Sequence, residues 1–149
     1  MSSTLLLTDG DITYDGAGRL MFCSGELKLD QDIALALTTP YSVENEFGNE
    51  AINNLFSGVS MDATQLHTHI SNAITRLMRR QDRLVITDPA ERITAIKRLS
   101  VIPLNGQPGV FGFVLDIQTG AGRTLSRASA LKFNHLAPPA GLLESLGKV

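Results

Sequence analysis

The apolar positions of this chain change their period along its length, and the changes outline its elements. From Asp62 to Arg83 they recur at helical spacing, with Leu66, Ile70, Ala73, Ile74 and Leu77 on one face. Asp62 is a good N-cap, and Gln65 stands in the reciprocal position of a capping box. At 1.5 Å per residue this helix would be about 30 Å long and would scaffold the fold. After Asp88-Pro89 the period drops to two. Ile93–Leu104 is β-branched and aliphatic, and Gly109–Thr119 alternates with Phe111, Phe113, Leu115 and Ile117 on one side. Arg123–Leu131 predicts a third strand with an Arg/Ser-rich face. Asn105-Gly106, Pro108-Gly109 and Gly120–Gly122 supply the intervening loops.

Upstream, TLLL, DITY and RLMFC predict short strands of an N-terminal hairpin or arm, separated by Asp9-Gly10, Asp15-Gly16 and Gly18. GELKL reads as a further short strand. Asp30 then predicts the N-cap of a helix of about ten residues, with Leu29, Ile33, Ala36 and Leu37 on its inner face. Pro40 ends it by pushing Thr39 out of the α region. Residues 41–60 are polar, with a short helical turn around Asn49–Phe56. Strands, then helices, then strands argue for an α+β fold and against a doubly wound sheet. The expected organisation is one domain over 1–149: an arm (1–25), a helical part (26–87), a mainly antiparallel sheet (88–131) and a tail (132–149).

At 149 residues there is enough chain for one core. Aromatics are only 5% and Trp is absent, so aliphatic side chains must fill that core. A net charge of −2 gives no general attraction to nucleic acid or an anionic membrane. Cys23, the one cysteine, rules out an internal disulfide and a cysteine zinc site and reads as a buried small hydrophobe. The first residues lack the basic segment of a signal peptide. The longest apolar runs, such as Ile33–Leu37, fall far short of the roughly 20 residues that span a bilayer. The expectation is a soluble protein, not exported by itself.

Candidate chemistry is sparse. Glycoside hydrolysis needs two carboxylates across a sugar cleft, one with a raised pKa. The only dense acidic group, Glu44, Glu46 and Glu50, lies in a polar stretch that reads as a solvated loop. His67 and His69 sit two residues apart on a helix and point in different directions, so one metal cannot take both. His67 is expected to flank the core and His69 to face solvent or a partner; His135 lies in the tail. No Gly-x-Ser-x-Gly elbow or phosphate loop occurs, and the glycines of 106–112 lead into a strand. No catalytic residue, cofactor or metal is expected. Arg76, Arg79, Arg80 and Arg83 form one stripe on the long helix. It complements the helix dipole and keeps that face wet, or docks a partner's carboxylates, or contacts nucleic acid.

Two stretches carry a resemblance: GELKLDQDIALALTTPYSVENEFG (25–48) and DPAERITAIKRLSVIPL (88–104). They resemble the phage W / gene 25-like family of contractile-tail baseplate proteins over roughly 16–130, most clearly 25–48 and 70–117. That family has a G-x-L-x-L … DI-x-x-A-L-x-T helix, a Tyr-Gly type of turn, and a Glu-Pro-Arg turn before its C-terminal strands. Here Asp88 would stand for the acid, Pro89 matches, and Arg92 would supply the guanidinium after a two-residue insertion. An Asp88–Arg92 pair would brace the turn or clasp a neighbouring chain; a plain helix-to-strand turn is the alternative.

The resemblance implies a non-enzymatic part of a contractile injection machine. It implies copies in a ring around the tail tube, assembled in the host cytoplasm, with no nucleic-acid or membrane partner. Its helices would join wedge proteins, with tube or hub proteins as further contacts. Its C-terminal strands would resemble the handshake sheet of sheath subunits and accept an incoming sheath strand. Arg123–Leu131 is the expected edge, with Arg123, Leu125 and Arg127 as contact residues. The Pro138-Pro139 tail would be an arm on a neighbour or a disordered end. Competing readings are a lysozyme-like peptidoglycan hydrolase and a generic adaptor domain.

Overall fold

The computed structural model describes residues 3–8, 11–104 and 110–132. The expectations for Asp9-Gly10, for the 105–109 loop, and for the tail beyond 132 with His135 and Pro138-Pro139 lie outside the described residues. In chain order the elements are β1 (Thr4–Leu5), β2 (Leu7–Thr8), β3 (Asp11–Ile12), β4 (Phe22–Cys23), α1 (Gly25–Thr38), α2 (Glu50–Ser57) and α3 (Ala63–Arg83). A 3-10 turn (Pro89–Glu91), β5 (Ile93–Pro103), β6 (Val110–Thr119) and β7 (Thr124–Lys132) follow. This is an α+β fold.

The capping box opens α3 as its sequence requires: Gln65 N donates to Asp62 Oδ1 at 2.8 Å, and Asp62 N donates to Gln65 Oε1 at 3.0 Å. Leu66, Ile70, Ala73, Ile74 and Leu77 are all buried, and the stripe continues to a buried Gln81. Against it pack Leu29, Ile33, Ala36 and Leu37 of α1 and Phe111, Phe113, Leu115 and Ile117 of β6 in one hydrophobic cluster. Burial of each large side chain there contributes about 1.5–3 kcal/mol. α2 is capped by Asn49, whose side chain accepts from Ala51 N, and ends on Gly58 in the left-handed conformation.

One element departs from its expected start. α1 begins at Gly25, with Ser24 as N-cap, so Asp30 lies inside the helix and GELKL is not a strand. Ser24 makes no side-chain cap bond. The capping acceptor comes from far away: Gly25 N donates to Glu91 Oε2 at 2.8 Å. The other end is as expected, with Thr39 extended before Pro40.

The three C-terminal strands form an antiparallel sheet in the order β5-β6-β7. The arm is more broken than three strands. β1 pairs with β4 and β2 with β3, because Leu6 splits its bonds, donating to Met21 O and accepting from Thr13 N. Cys23, at its end, is buried as expected, and burial pushes its thiol pKa up.

Candidate functional site

A three-stranded sheet has two edges, and they differ here. β5 carries register shifts between Ile93 and Ala95 and between Ile96 and Arg98, holds Lys97 and Arg98, and ends on Pro103. Bulges, cations and proline are the devices that blunt an edge against pairing. β7 has none of the first and last: it runs in unbroken register against β6 from Thr124 to Lys132. Thr119 N donates to Arg123 O at 2.8 Å, which sets the alternation of the antiparallel ladder. Leu125, Arg127 and Ser129 therefore face β6 with their backbone groups, while the N–H and C=O of Ser126 and Ala128 point away. Among the described residues no strand pairs with that side. Ser126, Ala128 and Ser129 are small, uncharged and exposed.

The predicted contact residues on this strand are partly committed within the chain. Leu125 packs against the core. Arg127 pairs with Asp30 of α1 at 3.2 Å, and Arg123 pairs with Glu26 at 3.3 Å. Arg127 and Arg123, the latter just before β7, tie this strand to α1, and Asp30, inside that helix, serves as an ion-pair partner.

The arginine stripe of α3 runs beside the loop before α2; Arg76 is half-buried against it, while Arg79, Arg80 and Arg83 are exposed. Arg76 donates to Gly48 O at 3.2 Å, pairs with Glu50 and lies over the Tyr41 ring at 3.9 Å from its centroid. Arg80 lies 5.1 Å from the Phe47 centroid, and Arg83 pairs with Glu46. Arg79 lines a shallow recess with Tyr41, Glu46, Arg76 and Arg83. Glu44 and Glu46 are exposed, as expected of a solvated loop, although Glu46 also pairs with Arg83; Glu50 departs from that expectation, being half-buried in the first turn of α2 and paired with Arg76. The loop is tight because Gly48 sits at φ 111°, where a Cβ would come within 2.4 Å of Pro40 O. Gly48→Ala is therefore expected to cost at least about 2 kcal/mol, read as a lower urea midpoint with an unchanged slope.

The Arg83 guanidinium holds the Glu46 carboxyl below its ordinary value of 4.5. A depressed carboxylate pKa contributes stability that is present above 4.5 and is lost as pH falls through the depressed value. In Arg83→Ala the Glu46 pKa, followed by carbon NMR, is expected to rise toward 4.5. An unchanged titration would show that the ion pair does not form in solution.

The Asp88–Pro89–Arg92 turn forms, but without the expected brace. Asp88 Oδ1 accepts from Ala90 N at 3.0 Å, and Arg92 reaches back to Asp82 Oδ1 at 2.8 Å. Asp88 is occupied as a local cap and Arg92 has already entered the extended backbone, so their side chains serve opposite directions. The bracing carboxylate is Glu91, fully buried, which caps α1 and lies 3.9 Å from Lys28 Nζ. Gln81 Nε2 donates to Glu91 O at 3.1 Å, and its Oε1 accepts from Ile93 N at 2.9 Å. Lys28 also bonds Asp32 at 3.0 Å. Burial raises the Asp32 pKa above 3.8 despite Lys28, so its contribution to stability declines as pH rises from 3.8 through the raised value. Sequence reasoning missed Glu91 and Gln81. A signal for Gln81 existed, since it extends the apolar stripe of α3 by one turn.

The histidines exchange their expected roles. His67 is exposed, whereas His69 is half-buried with Nε2 at 3.4 Å from Asn54 Nδ2, because α2 packs on its side of α3. Among the described residues no three His, Cys, Asp or Glu side chains gather as a metal-binding group, and no helix is long and apolar enough to cross a membrane.

The class defined by these features is an α+β chain with a helix-backed antiparallel sheet, one regular edge of which pairs with no strand among the described residues. No protein-family model, curated protein or solved structure matches the chain.

Proposed function

We propose that this chain is a structural protein of a contractile-tail baseplate that recruits the sheath by accepting a strand on β7. The observation that carries the reading is the asymmetry of the sheet. β5 is blunted, whereas β7 runs in continuous register with its outer backbone groups unpaired among the described residues. Backbone pairing supplies affinity in such an arrangement, and repetition around a ring multiplies it. The resemblance of 25–48 and 88–104 to the gene 25-like family adds the machine and the partners: wedge proteins on the helices, sheath subunits on the strands, tube or hub proteins nearby. In this reading the protein performs no chemistry and resides in the tail baseplate of a virion or an equivalent particle.

The hydrolase reading has weaker support. Glu46 and Glu50 are each held by an arginine, and Glu46 is shifted toward the ionised form, opposite to a general acid. Purified full-length protein is expected to bind sheath subunits in co-purification and to leave a peptidoglycan suspension turbid. Clearing of the suspension, or failure to bind contractile-tail sheath subunits, would overturn the proposal.

A further inference from the structure

The open side of β7 adjoins a groove of about 540 Å³ whose walls include Leu6, Leu7, Leu27, Ala34, Leu35 and Arg127. A smaller hollow of about 50 Å³ continues it toward Leu37, Phe113 and Ser129. Leu27 is 55% exposed and Leu35 37%, so large apolar side chains are left open on the outer face of α1. The polar groups along the groove are already satisfied. Gln31 accepts from Leu7 N and donates to Leu5 O, each at 2.8 Å, Thr38 donates to Ala34 O at 2.7 Å, and Asp30 holds Arg127. One group is not: Arg127 Nε is buried and has no acceptor among the described residues.

We infer that this groove reads the side chains of the strand that adds to β7. An added strand would present alternate side chains to the same face as Leu125, Arg127 and Ser129, which is the face toward α1. Those positions must be apolar, because the groove offers them carbon and satisfied polar groups. The intervening positions face solvent and take polar residues. The occupant is therefore an extended segment of another chain with apolar residues at every second position. Backbone pairing with Ser126 and Ala128 sets its register, and the groove sets its sequence.

This inference rests on β7 as the accepting edge, and its test separates the two. The probe is a synthetic peptide of about nine residues with Val and Leu alternating with Thr and Lys, compared with a peptide of the same composition in blocks. On the full chain, the alternating peptide is expected to bind at least about tenfold tighter and to slow hydrogen exchange at Ser126 and Ala128. Ala34→Arg and Leu27→Lys are expected to weaken it about tenfold with an unchanged melting temperature. Equal binding of both peptides, or indifference to both substitutions, overturns the groove and leaves the edge reading intact. Absence of binding by the alternating peptide overturns the inference. So does protection of Ser126 and Ala128 in the free protein, whether concentration-independent (the chain's own segment) or concentration-dependent (a second copy). Peptide binding without sheath assembly would leave the groove standing and remove the baseplate reading.

Discussion

Ala128→Pro is expected to abolish strand acceptance while leaving the protein folded. The N–H of Ala128 points away from β6, so a proline there removes no bond from the β6–β7 ladder. It removes a donor from the open rim and places ring carbons where an incoming backbone must lie. The stability cost is limited to the constraint on φ, about 1 kcal/mol, or a shift of about 2–4 °C in Tm. Binding of sheath subunits should fall by about tenfold or more from the lost hydrogen bond and the steric block. Ser129→Pro is the control of opposite character: its N–H faces β6, so it should destabilise the sheet itself. Co-purification and thermal melts on the two variants read both effects. Undiminished sheath binding by folded Ala128→Pro would show that the partner does not pair with β7.

Glu91→Ala should produce the largest loss of stability of any single charge removed among the described residues, where Glu91 is the fully buried one. Its carboxylate has no solvent exposure, caps α1 through Gly25 N and faces Lys28. Removing it takes the acceptor from Gly25 N in the first turn of α1 and one of two carboxylates from beside Lys28, which keeps its pair with Asp32. Breaking a buried, hydrogen-bonded charge in this way costs about 3–5 kcal/mol. For a chain of this size that corresponds to a drop of roughly 6–20 °C in Tm. Asp88→Ala, which removes only a local cap, should cost about 1 kcal/mol. Calorimetry on both variants distinguishes them. Equal losses would mean that the turn, and not the long-range cap, holds α1 to the sheet.

These two residues also show what is decided at which level. Ala128 lies in a strand legible from alternation, and the side on which its N–H falls follows from the hairpin at Thr119–Arg123. Glu91 lies in a turn that was legible, yet its partner is 66 positions away. Nothing near Ser24 announces that a helix begins there, so the predicted start slipped to Asp30. The arginine stripe was equally visible as a stripe. Its attachment to Tyr41, Glu46, Phe47, Gly48 and Glu50 was not, because periodicity gives a direction around a helix but not what lies in that direction.

By itself, then, the amino-acid order determined the elements whose signals are local: the capping box and buried face of α3, the stop at Pro40, the short α2 and the alternation of β6. These depend on spacing and on bonds between near neighbours, which any conformation of the surrounding chain leaves available. Tertiary structure alone decided where α1 begins, which carboxylate braces the 89–91 turn, which histidine is half-buried, and which sheet edge lies beside a groove without a paired strand among the described residues. Each depends on groups distant in sequence brought together by the packing of α1 and α3 on the sheet. Long-range pairing of that kind has no signature in the spacing of residues along the chain.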